Sequence, residues 1–130
     1  VDDVLEVSFP GLRALDRHEL RESLPADSLR LTEATPPGRI GTSYEPLTTV
    51  AIVLLSAATL RGIAAWLLKK RHRGRVEYDV EVRRADGSTE HRRLVIEFSE
   101  SSTDEAVVRA LGEQFGAAES VISEAVSSAL

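Results

Sequence analysis

The sequence predicts an α+β fold: a small four-stranded sheet, in β-α-β-α-β-β-α order, packed on a long apolar central helix. Three observations lead there. Apolar and polar residues alternate at Val4, Leu5, Val7 and Phe9, and again at Val76, Tyr78, Val80 and Val82, the period of a half-buried strand. The second run is followed by Asp86-Gly87, a favoured two-residue hairpin turn. Between the two runs, residues 47–68 hold a single charge, Arg61, which points to a helix apolar on all sides. At 130 residues the chain is one domain, and 42% hydrophobic with 28% charged residues suffices for an ordered core.

The elements follow in order. Glu6 and Ser8 interleave with the apolar residues of the first strand, and Pro10-Gly11 stops it. Asp16 and Glu19 have capping-box spacing ahead of a short helix through Leu20 and Leu24, which ends at Pro25. Leu29 and Leu31 alternate with Arg30 and Thr32 as a second strand. Pro36, Pro37, Gly38 and Gly41 make residues 35–46 a loop, and Pro46 stands where a first-turn helix proline belongs. The apolar helix then runs over 46–71, with Gly74 as its stop. The hairpin returns through Leu94, Ile96 and Phe98. Ser102 to Glu105 has the S-x-x-E pattern of a capping box and opens a helix with Val107, Ala110, Leu111 and Phe115 on one face, ended by Gly116. Residues 1–116 therefore form a single α/β domain, and 117–130 a C-terminal helix or tail.

The apolar helix carries the functional expectation. A four-stranded sheet covers one side of it, so the other side needs helices, a second subunit or lipid. Ala51, Leu55, Ala58, Gly62 and Ala65 fall on one stripe of mostly small residues, a seam for close helix packing bordered by Arg61; this predicts a homo-oligomer. A membrane reading competes. The span has bilayer length, Trp66 lies near its end, and Lys69, Lys70, Arg71, Arg73 and Arg75 follow as a basic flank for anionic lipid or an acidic partner. Ten Leu, Ile and Val residues favour insertion by about 3–6 kcal/mol, while Arg61 costs about 2.5–3.5 kcal/mol. The balance is close to zero, and the buried or partner-packed reading is preferred.

Composition narrows the chemistry. Cysteine is absent, which removes disulfides and thiolate chemistry. A net charge of -5 and the acidic Glu77, Asp79 and Glu81 after the basic run argue against a nucleic-acid partner. His18, His72 and His91 are scattered, with no metal-ligand spacing, so no metal and no cofactor are expected. No serine sits in a G-x-S-x-G context, and residues 37–41 match no phosphate-binding loop. The chain is read as not an enzyme. Residues 1–10 hold acidic residues and no basic n-region, so no secretory signal is expected there.

Four blocks, in order and spacing, resemble the effector-associated constant component family of bacterial conflict systems. They are Pro36-Pro37-Gly38-Arg39-Ile40-Gly41, the apolar segment, Ala65-Trp66-Leu67-Leu68 running into Lys69-Lys70-Arg71, and the strand at 76–82 with its Asp86-Gly87-Ser88 turn and return strand. The resemblance covers roughly residues 4–115. Leu54, Leu55 and Ser56 stand where the family has a glycine-rich helix entry. The resemblance implies a non-catalytic accessory or adaptor component of an antiviral defence system, encoded beside effectors such as caspase-like or trypsin-like peptidases. The expectation is a cytoplasmic adaptor that binds an effector and self-associates through the apolar helix. The alternative is a membrane-acting component, associated with the inner membrane, whose helix 47–68 inserts into or spans the bilayer, with Arg39 marking a protease-sensitive loop at which cleavage is one route to activation.

Overall fold

The structure is a computed structural model and describes residues 4–34, 48–99 and 103–128. Its elements are β1 (Val4–Phe9), α1 (Ala14–Ser23), β2 (Leu29–Ala34), β3 (Thr48–Leu54), α2 (Ala57–Leu68), β4 (Arg75–Arg84), β5 (Thr89–Glu97), α3 (Asp104–Phe115) and α4 (Glu119–Ser128), with a 3-10 turn at Arg71–Arg73. The strands form one sheet in the order β2-β3-β1-β4-β5, and every neighbouring pair is antiparallel.

Two expectations are overturned here. Among the described residues the sheet has five strands instead of four, and there is no long apolar central helix. The apolar run is divided: its first part is β3 and only its second part, α2, is helical. The cause is local. Thr48, Thr49, Val50, Ile52 and Val53 are β-branched, which favours an extended backbone and disfavours a helix. Ser56 then caps α2: its Oγ accepts from the Thr59 backbone N–H at 3.2 Å, while Thr59 Oγ1 accepts from the Ser56 N–H at 2.7 Å. This reciprocal box satisfies free N–H groups and fixes where helix begins. The twelve residues of α2 span about 18 Å at 1.5 Å per residue, against a hydrocarbon thickness of about 30 Å. No helix among the described residues is long and apolar enough to cross a membrane.

One face of the sheet is buried. Val7 and Phe9, Ala51 and Val53, Val80 and Val82, and Leu94 and Ile96 point into a core shared with Leu60, Ile63, Trp66 and Leu67 of α2 and with Leu111 and Phe115 of α3. Phe9 sits edge-on to both Trp66, at 6.0 Å between ring centroids, and Phe115, at 6.5 Å. Glycine permits two close approaches: a Cβ on Gly62 would stand 2.6 Å from the Ser23 carbonyl oxygen, and one on Gly112 would stand 2.6 Å from Ile122 Cγ1. The first brings α2 against the end of α1, the second α3 against α4. In α4, Ile122 and Ala125 are buried in the same core.

The start of α3 is shifted by one residue from its expected cap. Thr103 is the N-cap and its Oγ1 accepts from the Ala106 N–H at 3.1 Å. Gly116 ends the helix with φ 74°, a left-handed conformation that glycine adopts without a Cβ penalty. The protease-sensitive loop around Arg39 lies outside the described residues.

Candidate interaction site

Strand alternation assigns the second face of the sheet to Arg30 and Thr32 of β2, Val50, Ile52 and Leu54 of β3, Glu6 and Ser8 of β1, and the odd-numbered residues of β4 and β5. None of these side chains is buried, and no helix among the described residues covers them. The face has two halves of different chemistry.

The first half is apolar with a charged rim. Leu54 is 54% exposed and lies opposite Glu6; beside Glu6 stands Leu5, 48% exposed. Leu5 is the extra residue of a β-bulge, since the β1–β4 register shifts between Val4 and Glu6. Glu6 reaches Arg30 across β3 at 3.7 Å. A depression of about 130 Å³ is lined by Glu6, Asp27, Ser28, Arg30, Ile52 and Leu54. At its rim Asp27 holds φ 68°, a conformation that aspartate tolerates better than most residues.

The second half is a lattice of ion pairs. Arg75 bonds Glu77 at 2.6 Å and Glu97 at 2.8 Å, and Arg93 lies 3.8 Å from Glu77. The Arg75 hydrogen bond, with the attraction of its charge, holds the Glu77 carboxyl below the usual range and raises the Arg75 guanidinium in turn. Near the hairpin end, on the opposite, helix-bearing face, Arg92 and Arg84 both donate to Glu90, at 3.0 and 2.9 Å, and lower its carboxyl in the same way. On the open face, the exposed pairs among Arg75, Glu77, Arg93 and Glu97 contribute little stability each, but they leave this half matched and hydrated.

The residues expected to act through a continuous helix are dispersed. Of the seam, Ala51 is a buried core residue of β3 and Leu55 sits in the link before α2. Gly62 is buried against α1 of the same chain, and Ala58 and Arg61 are partly covered, so only Ala65 of the five stripe residues is exposed. A stripe running through 51, 55, 58, 62 and 65 therefore does not exist as one surface.

The basic flank divides as well. Trp66, expected at an interface, is fully buried; its Nε1–H has no hydrogen-bond partner among the described residues. Lys70 is only 4% exposed. Its Nζ donates to Asp16 Oδ1 at 2.7 Å and lies 5.3 Å from the centroid of the Trp66 ring. This ammonium is held inside the molecule by a carboxylate and an aromatic face, and it is not available to lipid or an acidic partner. Arg75 is engaged by Glu77 and Glu97 as above, and Arg71 lies 3.8 Å from Asp104. Lys69 and Arg73 remain on the surface, Lys69 within 3.4 Å of Ser23 Oγ.

The sequence marks Asp16 only by its capping-box spacing and Tyr78 only as a strand residue, not as neighbours of Lys70 and Trp66. Tyr78 stacks at 5.1 Å on Trp66, and its phenol is pushed up to about 12, by burial first and by the Asp16 charge second. Among the described residues no group of three or more His, Asp and Glu side chains converges as a metal site. No family model, curated protein or solved structure matches this chain.

Proposed function

We propose that this chain is a non-catalytic adaptor of a bacterial defence system that docks an effector protein on the open face of its sheet. The observation that carries this reading is the exposure of Leu54 and Leu5 on adjacent strands, at 54% and 48%. Burying such side chains against a partner is worth about 25 cal/mol per Å² of apolar surface, and Arg30 and Glu6 supply a charged rim that orients the contact. The effector class, a caspase-like or trypsin-like peptidase, rests on the family resemblance of residues 36–41, 65–71 and 76–88. Assembly through a membrane-inserted or self-paired helix 47–68 has no place in this reading, because β3 takes up the first part of that segment.

The test uses the purified chain and the peptidase encoded beside it. Size-exclusion chromatography with light scattering is expected to show a complex of the two, lost when Leu54→Asp and Leu5→Asp are combined. Circular dichroism of that variant should be unchanged, since both side chains are exposed. No complex at micromolar concentrations, or one indifferent to the double substitution, contradicts the reading.

A further inference from the structure

β1 stops short of β4. β4 runs from Arg75 to Arg84, yet β1 pairs only with Glu81 to Arg84, because Pro10 and Gly11 turn the chain away toward α1. The β4–β5 ladder fixes which backbone groups this leaves unused. The Phe98 N–H donates to the Gly74 carbonyl and the Arg84 N–H to the Ser88 carbonyl, so the even-numbered residues of β4 bond to β5. By antiparallel alternation, the N–H and C=O groups of Arg75, Glu77 and Asp79 point the other way, to the side β1 has vacated. No hydrogen bond to these backbone groups occurs among the described residues. A cleft of about 370 Å³ lies along them, lined by residues 75–79 on one wall and by Gly11, Leu12 and Arg13 on the other. A Cβ built on Gly11 meets nothing within 4 Å, so that wall stands back from the strand.

The opposite edge of the sheet contrasts with this slot. There the Gln114 side chain imitates a neighbouring strand: its Oε1 accepts from the Val95 N–H at 2.9 Å and its Nε2 donates to the Val95 carbonyl at 2.8 Å. The β5 edge is thereby closed to a partner strand at that point. The β4 edge has no such plug.

The geometry points to the β4 edge at residues 75–79 as a binding slot for an extended peptide segment of a partner protein, added antiparallel to β4 in line with β1. Pairing with Arg75, Glu77 and Asp79 completes the ladder that β1 leaves unfinished. Side-chain chemistry sets the preferred sequence. Residues opposite Tyr78 and Val76 turn toward the core side and are apolar. The residue opposite Asp79, whose carboxylate has no ion pair among the described residues, is basic. An antiparallel segment ends at the start of β4, where Arg73 and Arg13 have no carboxylate partner among the described residues, so its last residue is acidic. This slot is separate from Leu5 and Leu54, and the inference stands without the adaptor reading.

The test is a fluorescence-anisotropy titration of the full chain with the labelled peptide Gly-Lys-Val-Thr-Val-Asp and with the same peptide N-methylated at threonine. The plain peptide is expected to bind and to shift the amide resonances of Arg75, Glu77 and Asp79. N-methylation removes a ladder hydrogen bond and places a methyl group in the slot, weakening binding about tenfold or more. Glu77→Pro removes an N–H that β5 does not use and should abolish binding. Asp79→Lys, an exposed change that leaves the fold intact, should weaken it. Equal binding of both peptides, or absence of binding to the unaltered chain, overturns the inference. So does a peptide-free dimer that dissociates on Glu77→Pro, which assigns the slot to a second copy of the chain.

Discussion

Asp16 Oδ1 and Lys70 Nζ meet at 2.7 Å, tying the first turn of α1 to the end of α2 beside the ring of Trp66. The two side chains are 16% and 5% exposed, so the pair is largely withdrawn from water. Removing one partner leaves the other as an uncompensated buried charge, the costly case for a buried ion pair.

Asp16→Ala should therefore destabilise the fold by about 3–5 kcal/mol in urea unfolding. Replacing both residues, Asp16→Leu with Lys70→Met, should recover most of that loss, because no charge is then left unpaired. A single-variant loss below about 1 kcal/mol would mean that water screens the pair as it does on a surface.

Gly62 tests whether α2 packs within the chain. A Cβ there would lie 2.6 Å from the Ser23 carbonyl oxygen and 2.7 Å from Leu24 Cδ2. Gly62→Ala should cost about 1–3 kcal/mol through overpacking, without changing the molecular mass by light scattering. A change of oligomeric state at unchanged stability would place this glycine at an interface between subunits.

Ser56→Ala removes the oxygen that accepts the Thr59 N–H. The expected loss is about 0.5–2 kcal/mol, the range for an N-cap substitution. Ser56→Asp should retain most of the stability, since aspartate caps as well as serine. Equal stability of all three proteins would show that the helix does not begin at this residue.

Tyr78 gives a pH signature. Burial, with the Asp16 carboxylate adding to it, pushes its phenol up to about 12 from the ordinary value of about 10. The folded state thus holds the proton more tightly than the unfolded one. The associated stability is complete below pH about 10 and is lost as pH rises through about 12. Ultraviolet titration of Tyr44→Phe, which leaves Tyr78 as the remaining tyrosine, should show ionisation well above pH 10. Asp16→Asn should move it down.

The hairpin was legible because period and turn agree. Val76, Val80 and Val82 face the core as their spacing requires, and the turn falls where expected but as a three-residue loop, Ala85-Asp86-Gly87, closed by the Gly87 N–H on the Arg84 carbonyl, with Gly87 at φ 91°. β1 and the Gly116 stop were legible for similar local reasons. The segment 47–54 was not, because hydrophobicity alone does not separate a buried strand from a buried helix. The discriminating signals were its β-branched residues and the Ser56 and Thr59 spacing.

The site was less legible than the fold. Asp16 and Lys70 are far apart in the chain, and nothing in the basic run marks Lys70 as the member that turns inward. Leu5 is exposed because of a bulge, and the slot on β4 exists because β1 ends early. Both follow from strand register, which composition and periodicity do not report.

The open face with Leu54, and the division of the apolar run at Ser56, depend on residues 48–54 being a strand beside β1. The direct measurement is a nuclear Overhauser spectrum of the labelled protein. Ser8 lies opposite Ile52, and alternation from the Leu55 N–H to Leu5 carbonyl bond makes this a non-hydrogen-bonded pair, with Cα atoms about 4.5 Å apart. A strong cross-peak between the Hα protons of Ser8 and Ile52 is the predicted result. Medium-range helical contacts such as Val50 Hα to Val53 Hβ, with no Ser8–Ile52 peak, would contradict it.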